Sequence, residues 1–180
     1  MADCAFDFVA FDACLMGSVA TAGCLDGFAD YVIASPELEP QHGYDYRWMA
    51  ALGDSLPPDM EWGEAVGRSM VEAYGACYAS GTAPVAMSLL DRKEYPAFHE
   101  VFHQYVDGIP EKLREELCGE LGRDRMKMLA FGSRQAGGSP ELVDVLEFLN
   151  ACLRVYPDEH AFQTLKERKR MHVARQWEKG

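Results

Sequence analysis

AFDFVAFDACLMGSVATAGCLDGFADYVIASP, residues 5–36, passes through three patterns within one supersecondary unit. Residues 5–11 form an apolar, aromatic and β-branched run, which predicts a strand buried on both faces. From 15 to 29, Leu15, Val19, Ala22 and Leu25 share one stripe at helical spacing, and Gly17 or Ser18 is suited to open that helix. DYVIAS, 30–35, is strand-like again and is closed by Pro36. Strand, helix and strand in so short a span predict a βαβ unit with parallel strands and a right-handed crossover. Ligands of such sheets bind beyond the carboxyl ends of the strands. Cys14 and the loop SPELEPQHGYDY, 35–46, both fall there, and are expected within about 13 Å of each other, the radius of a small domain.

The rest of the chain is mostly helical in pattern. Short and long helices are predicted over 46–54 and 57–80, a third strand over 83–91, and amphipathic helices over 93–109 and 110–131. After the loop GSRQAGGSP, 132–140, two more helices are predicted over 141–156 and 158–179. The expected fold class is α/β: a parallel sheet of strands 5–11, 30–35 and 83–91 flanked by helices. One domain is expected over 1–180, with 1–46 carrying the strand–helix–strand unit and its loop, and 47–180 the helical remainder.

A length of 180 residues with 48% hydrophobic and 26% charged side chains suits a soluble domain with a sizeable core. The net charge of −12 repels phosphate backbones, so nucleic acid is an unsuitable partner and cationic ligands are favoured. The basic run KERKR, 166–170, reads as a solvated helix face. No run reaches the roughly 18 apolar residues of a membrane span, and no secretory leader is visible; secretion or surface display of a longer protein stays open. Six cysteines occur, at 4, 14, 24, 77, 118 and 152, with no CxxC spacing that would signal zinc or a redox couple. Five of them read as small buried hydrophobes. Cys14 differs, because a thiol on a tight turn running straight into a helix start meets partial positive charge and free N–H groups. Such surroundings lower a thiol pKa and hold an oxyanion.

Together the apolar strand, FDACLMGS (11–18), the helix, ADYVIAS (29–35), the Glu-rich loop ending in Glu-Pro and the Tyr44-Asp45 pair resemble the nucleophile region of the clostripain family of cysteine peptidases. The resemblance is dense over 5–46 and looser at the strand SLLD and at SPELVDVLEFL. It implies the C-terminal part of a caspase-like α/β peptidase domain with a Cys/His dyad, cleaving peptides or proteins after Arg or Lys. Cys14 is then the nucleophile, and Asp12, two residues before it, lies in the primary specificity pocket. A carboxylate there pairs with a guanidinium through two charge-assisted hydrogen bonds. Glu37 and Glu39 add negative charge to the same rim. Calcium dependence is a further property that some family members suggest. In the family the catalytic histidine precedes the cysteine in a His-Gly context, whereas no histidine precedes Cys14 here. The chain therefore reads as a C-terminal portion, expected to be inactive alone and to partner an N-terminal half carrying the histidine. His42, in PQHGY, is a weak substitute for that base.

Two other functions compete. HEVFH, 99–103, matches the H-E-x-x-H zinc-peptidase pattern, with His99 and His103 on one helical face, Glu100 as general base and Glu116 or Glu120 as third ligand. Against it, Phe98, Val101, Phe102 and Tyr105 make the apolar stripe, which leaves both histidines at its edge. The last alternative is a non-catalytic remnant or interaction domain, whose sheet would offer an unpaired edge to another chain.

Overall fold

A computed structural model describes residues 5–47, 49, 59–81, 85–124, 127–132, 142–168 and 177–179. The chain divides into two compact units, Met1–Tyr95 with Met171–Gly180, and Pro96–Arg170. Among the predicted features, most of the 46–54 helix, the loop 133–140, Cys4 and the end of the basic run at 169–170 lie outside the described residues.

The first unit is built on strands β1 (Phe6–Phe11) and β2 (Ala29–Ala34), which pair in parallel from Phe6↔Ala29 to Phe11↔Ala34. Helix α1 (Val19–Cys24) connects them, so the βαβ reading holds. Its N-cap is Ser18, whose hydroxyl accepts the Thr21 N–H at 3.1 Å. The helix is far shorter than the predicted 15–29. Leu15 takes φ +62° and Gly27 φ +73°, and a left-handed residue on either side stops an α-helix of L-residues from extending. β1 is also less buried than expected: it is an edge strand of its sheet among the described residues, and Phe6 is 62% exposed.

β3 (Val85–Asp91) pairs with β2 antiparallel, from Tyr31↔Asp91 to Ala34↔Ser88, which corrects the all-parallel expectation. The cause is an extra pass of chain. After β2, the loop keeps residues 44–46 at the carboxyl end of the strand, where Tyr44 and Tyr46 bond Asp12. Helix α2 (Trp62–Tyr78) nevertheless starts at the opposite end, with Glu61 bound to Tyr31 Oη at 3.0 Å and to Lys93 Nζ at 2.5 Å. α2 then runs back up the sheet, its Tyr78 reaching the Gly43 carbonyl at 2.7 Å, and β3 must descend. A fourth strand, β6 (Trp177–Lys179), pairs antiparallel with β3 where a continuous helix was predicted. Three residues carry no pattern strong enough to announce an edge strand; the open side of β3 selects that conformation.

The core of this unit lies between α2 and the sheet: Tyr31, Ile33, Val66, Met70, Val71, Tyr74, Val85, Met87 and Leu89. Burying each large apolar side chain of this kind stabilises the fold by about 1.5–3 kcal/mol. Gly67 lets α2 approach closely, since a Cβ there would meet Leu89 Cδ1 at 2.4 Å.

The second unit contains α3 (Tyr95–Gly108), α4 (Glu111–Asp124), a short antiparallel pair β4 (Ala130–Phe131) and β5 (Leu142–Val143), α5 (Val145–Val155) and α6 (Glu159–Arg168). The predicted helix 110–131 thus stops at Asp124. α5 begins where Asp144 caps it, accepting the Leu146 and Glu147 N–H groups. Arg154 of α5 joins Glu120 and Asp124 of α4, and Tyr105 of α3 donates to the Tyr156 carbonyl at 2.9 Å. No helix among the described residues is long and apolar enough to cross a membrane.

Candidate active site

Two turns leave the carboxyl end of the sheet side by side, one after β1 and one after β2, and they are stitched by backbone hydrogen bonds. The Leu15 N–H donates to the Glu37 carbonyl at 3.2 Å, and the Gly17 N–H to the Ser35 carbonyl at 2.8 Å. Only glycine fits at 17, where a Cβ would sit 2.6 Å from Pro36 N. This close approach holds Cys14 on a strained turn, with Leu15 in the left-handed region immediately after it. Strain of this kind persists where surrounding structure over-determines it, and it clusters at functional sites.

Cys14 is exposed, and its Sγ accepts the Glu39 N–H at 3.2 Å. The expected proximity of Cys14 to the 35–46 loop is therefore found. The expected helix start beside the thiol is not. α1 begins at Val19, beyond a turn, and the N–H group at the sulfur comes from the opposite loop. Three of the other cysteines also depart from the expectation of burial, and Cys152 meets it. Cys24, Cys77 and Cys118 are exposed, while Cys152 is buried and its thiol is pushed up to about 11 by burial. Cys24 ends α1, and Cys77 and Cys118 lie at helix positions that packing leaves open.

Asp12 follows the last residue of β1, and both its oxygens are engaged. Oδ1 accepts the Tyr44 N–H at 3.1 Å and Oδ2 the Tyr46 hydroxyl at 2.7 Å. Gly43, with φ +61°, makes room for this: a Cβ at 43 would lie 2.4 Å from Asp12 Oδ1. Tyr44 is buried under the turn and its hydroxyl donates to the Phe11 carbonyl, which ties the end of β1 to the loop.

The two loop glutamates separate sharply. Glu37 is 8% exposed and folds back, its Oε1 accepting the Leu38 N–H at 2.8 Å. Its backbone closes a turn with Ser35, whose hydroxyl donates to the Glu37 carbonyl at 2.8 Å. Glu37 thus shapes the loop rather than its rim. Glu39 instead lies in hydrogen-bonding reach of Asp12, and its carboxyl is pushed up to about 8 by burial first, then by the hydrogen bond to Asp12 and that group's charge. Glu39 Oε1 is buried with no N–H or O–H donor on it.

A wall of tyrosines, absent from the sequence expectations, completes the site. Tyr74 packs edge-on to Tyr44 at 6.0 Å and to Tyr78 at 4.8 Å, and Tyr46 lies 6.2 Å from Tyr44. Burial, with the charges of Glu39 and Asp12, holds the Tyr44 and Tyr74 hydroxyls protonated well above the usual tyrosine range. The signal was present as Y-D-Y at 44–46 and as Tyr74 and Tyr78 four apart on a helix.

His42 is exposed, and among the described residues no histidine is hydrogen-bonded to Cys14. His99 and His103 lie on α3 with rings 4.1 Å apart. Glu120 is occupied by Arg123 and Arg154, and no group of three or more potential ligands forms among the described residues. The zinc reading lacks its third ligand there.

Known proteins share this fold. Three solved structures each match 97% of the chain. An inactive zymogen C11 protease from Parabacteroides distasonis matches with TM-score 0.71 at 18% identity. A clostripain from Bacteroides thetaiotaomicron, in complex with the peptide inhibitor BTN-VLTK-AOMK, gives 0.72 at 13%. A secreted C11 cysteine protease from Bacteroides thetaiotaomicron gives 0.70 at 13%. The chain spans 44%, 69% and 44% of those proteins respectively, and at such identities the likeness establishes the fold, which is that of C11 proteases. No curated protein matches the chain in sequence. The family model for clostripain, peptidase C11, matches residues 2–176. With that match spanning almost the whole chain, the protein belongs to the clostripain family of cysteine peptidases.

Proposed function

We propose that the chain is the nucleophile-bearing portion of an endopeptidase that cleaves peptide bonds after Arg or Lys. The observation that carries this reading is the position of the Asp12–Glu39 carboxyl pair beside Cys14, with Glu39 touching both partners. The inhibitor in one structural neighbour places lysine next to its reactive group, which accords with a cation-binding pocket. In the reaction Cys14 Sγ, once deprotonated, attacks the scissile carbonyl. The C–N bond breaks, the amine leaves with a proton, and water hydrolyses the resulting thioester. The base and proton donor would be a histidine in sequence outside these 180 residues, consistent with the greater length of the neighbours. The outer edge of β1, unpaired among the described residues, suits the docking of such a segment.

The test is covalent labelling with a peptidyl-lysyl acyloxymethyl ketone, read by mass spectrometry of the labelled peptides. The 180-residue chain is expected to label at Cys14, slowly, with negligible turnover of arginyl peptides. Supplying an upstream histidine-bearing segment is expected to raise both. Preferential labelling of Cys24, Cys77 or Cys118, all exposed, would contradict the assignment.

A further inference from the structure

Beside the thiol, the carboxyl groups of Asp12 and Glu39 lie in hydrogen-bond contact, and among the described residues no cationic side chain bonds either of them. On the β1 side stand Asp12 and Cys14. The loop contributes Tyr44 and Tyr46, and α2 contributes Tyr74 and Tyr78; these four tyrosines all feel the charge of Glu39 and of Asp12. Asp45 and Cys77 stand one step further off, facing Tyr78. The nearby guanidinium of Arg47 is taken by Asp45 through three side-chain hydrogen bonds. Two polar atoms there have no partner: Glu39 Oε1, and the hydroxyl of Tyr74, a residue 1% exposed. Buried polar atoms in native structures nearly always have partners, so these two atoms are available to a group that arrives from outside.

We propose that Asp12 and Glu39 act as one receptor for the cationic side chain of the substrate: in the empty site they share a single proton, and an entering guanidinium or ammonium takes that proton's place. The exchange balances. The empty pair with one proton carries one negative charge. Loss of the proton to solvent leaves two, and the bound cation restores the total to one. Ionising two like charges in hydrogen-bond contact is costly near neutral pH without compensation, and the cation supplies it. Tyr74 donates its free hydroxyl to the carboxylate that ionisation creates. Recognition of the basic side chain is therefore coupled to proton release. Glu39 becomes a specificity-determining residue whose state depends on whether the site is full. This rests on the proposed Arg/Lys pocket and adds its proton chemistry.

The experiment is calorimetric titration of the 180-residue chain with benzamidine, a permanent cation over the range used, and with neutral benzamide. It is run from pH 6 to 8.5 in two buffers of different ionisation enthalpy. Benzamidine is expected to bind with release of close to one proton at pH 7. Its affinity should rise about tenfold from pH 6 to 7 and level off above about pH 8, where Glu39 ionises unaided. Glu39→Gln is expected to abolish both the proton release and the pH dependence, whereas His42→Asn, which removes the nearby exposed imidazole, should leave both intact. Circular dichroism confirms that each variant folds. Benzamidine binding without proton release, or with equal affinity at pH 6 and 8, would overturn the exchange while leaving the pocket standing. A folded chain that binds benzamidine no better than benzamide at any pH would bring down the pocket and the exchange together.

Discussion

The two compact units differ in how completely they satisfy their polar groups. In the unit Pro96–Arg170, charged side chains meet at the surface: Arg154 with Asp124 and Glu120, Arg123 with Glu120. In the sheet-bearing unit, by contrast, lie all the buried side-chain polar atoms found without partners among the described residues: Glu39 Oε1, Tyr74 Oη, and Arg92 Nε and Nη1. The positive-φ Leu15 lies there as well. Proteins depart from local rules where function demands it and compensate elsewhere. The contrast sets a unit with unpartnered buried polar atoms and a left-handed Leu15 against one in which none of these is found among the described residues.

The most severe way to break the contrast is Cys14→Ser. Labelling by the peptidyl-lysyl probe should vanish, although Cys24, Cys77 and Cys118 stay exposed; a general alkylating agent counts those three as a control. Next comes Gly43→Ala. The new Cβ would meet Asp12 Oδ1 at 2.4 Å in a backbone that already has φ +61°. Losing the charge-assisted contacts of Asp12 is expected to slow lysyl-probe labelling by roughly tenfold or more, while a neutral probe of equal length is slowed much less.

A pH effect of middle size tests the same unit through stability. The Glu39 carboxyl is raised to about 8 in the folded chain, so its contribution is fully present below its unfolded value near 4.5. That contribution is lost as pH rises through the folded value. The melting temperature should therefore fall by a few degrees between pH 5 and 8.5, and Glu39→Gln should flatten the curve.

Smaller still, Leu15→Gly relieves a left-handed residue and is expected to stabilise the fold by about 1 kcal/mol in urea unfolding, with labelling altered because the turn loosens. At the far end, Arg154→Ala removes surface ion pairs and should cost about 1 kcal/mol or less. Labelling of Cys14 should not change; a change there would erase the distinction between the units.

What the sequence revealed follows the same division. β1, α1 and β2 were legible because their signals are local: apolar runs, a Ser18 cap and a closing Pro36. The placement of Cys14 against the 35–46 loop followed from topology, as strand ends bring their loops together. Three things were not legible. The direction of β3 depends on which end of the sheet α2 starts from, and no residue between them encodes that alone. The strand at 177–179 depends on the open edge of β3. The different fates of Glu37 and Glu39, two residues apart, depend on which way a buried loop turns each side chain. The tyrosine wall was in plain view as spacing. It carried no meaning until Tyr44 and Tyr46 were seen to hold Asp12.

Glu39 offers its amide to the sulfur of Cys14 and its carboxyl to Asp12, so a single residue touches both the thiol proposed to react and the carboxylate proposed to recognise the substrate. Any shift of that residue would alter both contacts at once. Transplanting FDACLMGS into another scaffold would therefore carry over the thiol and leave its environment behind. The smallest portable piece includes the second turn as far as Tyr46, and a library that varies substrate preference at position 39 will tune reactivity whether or not its designer intends it.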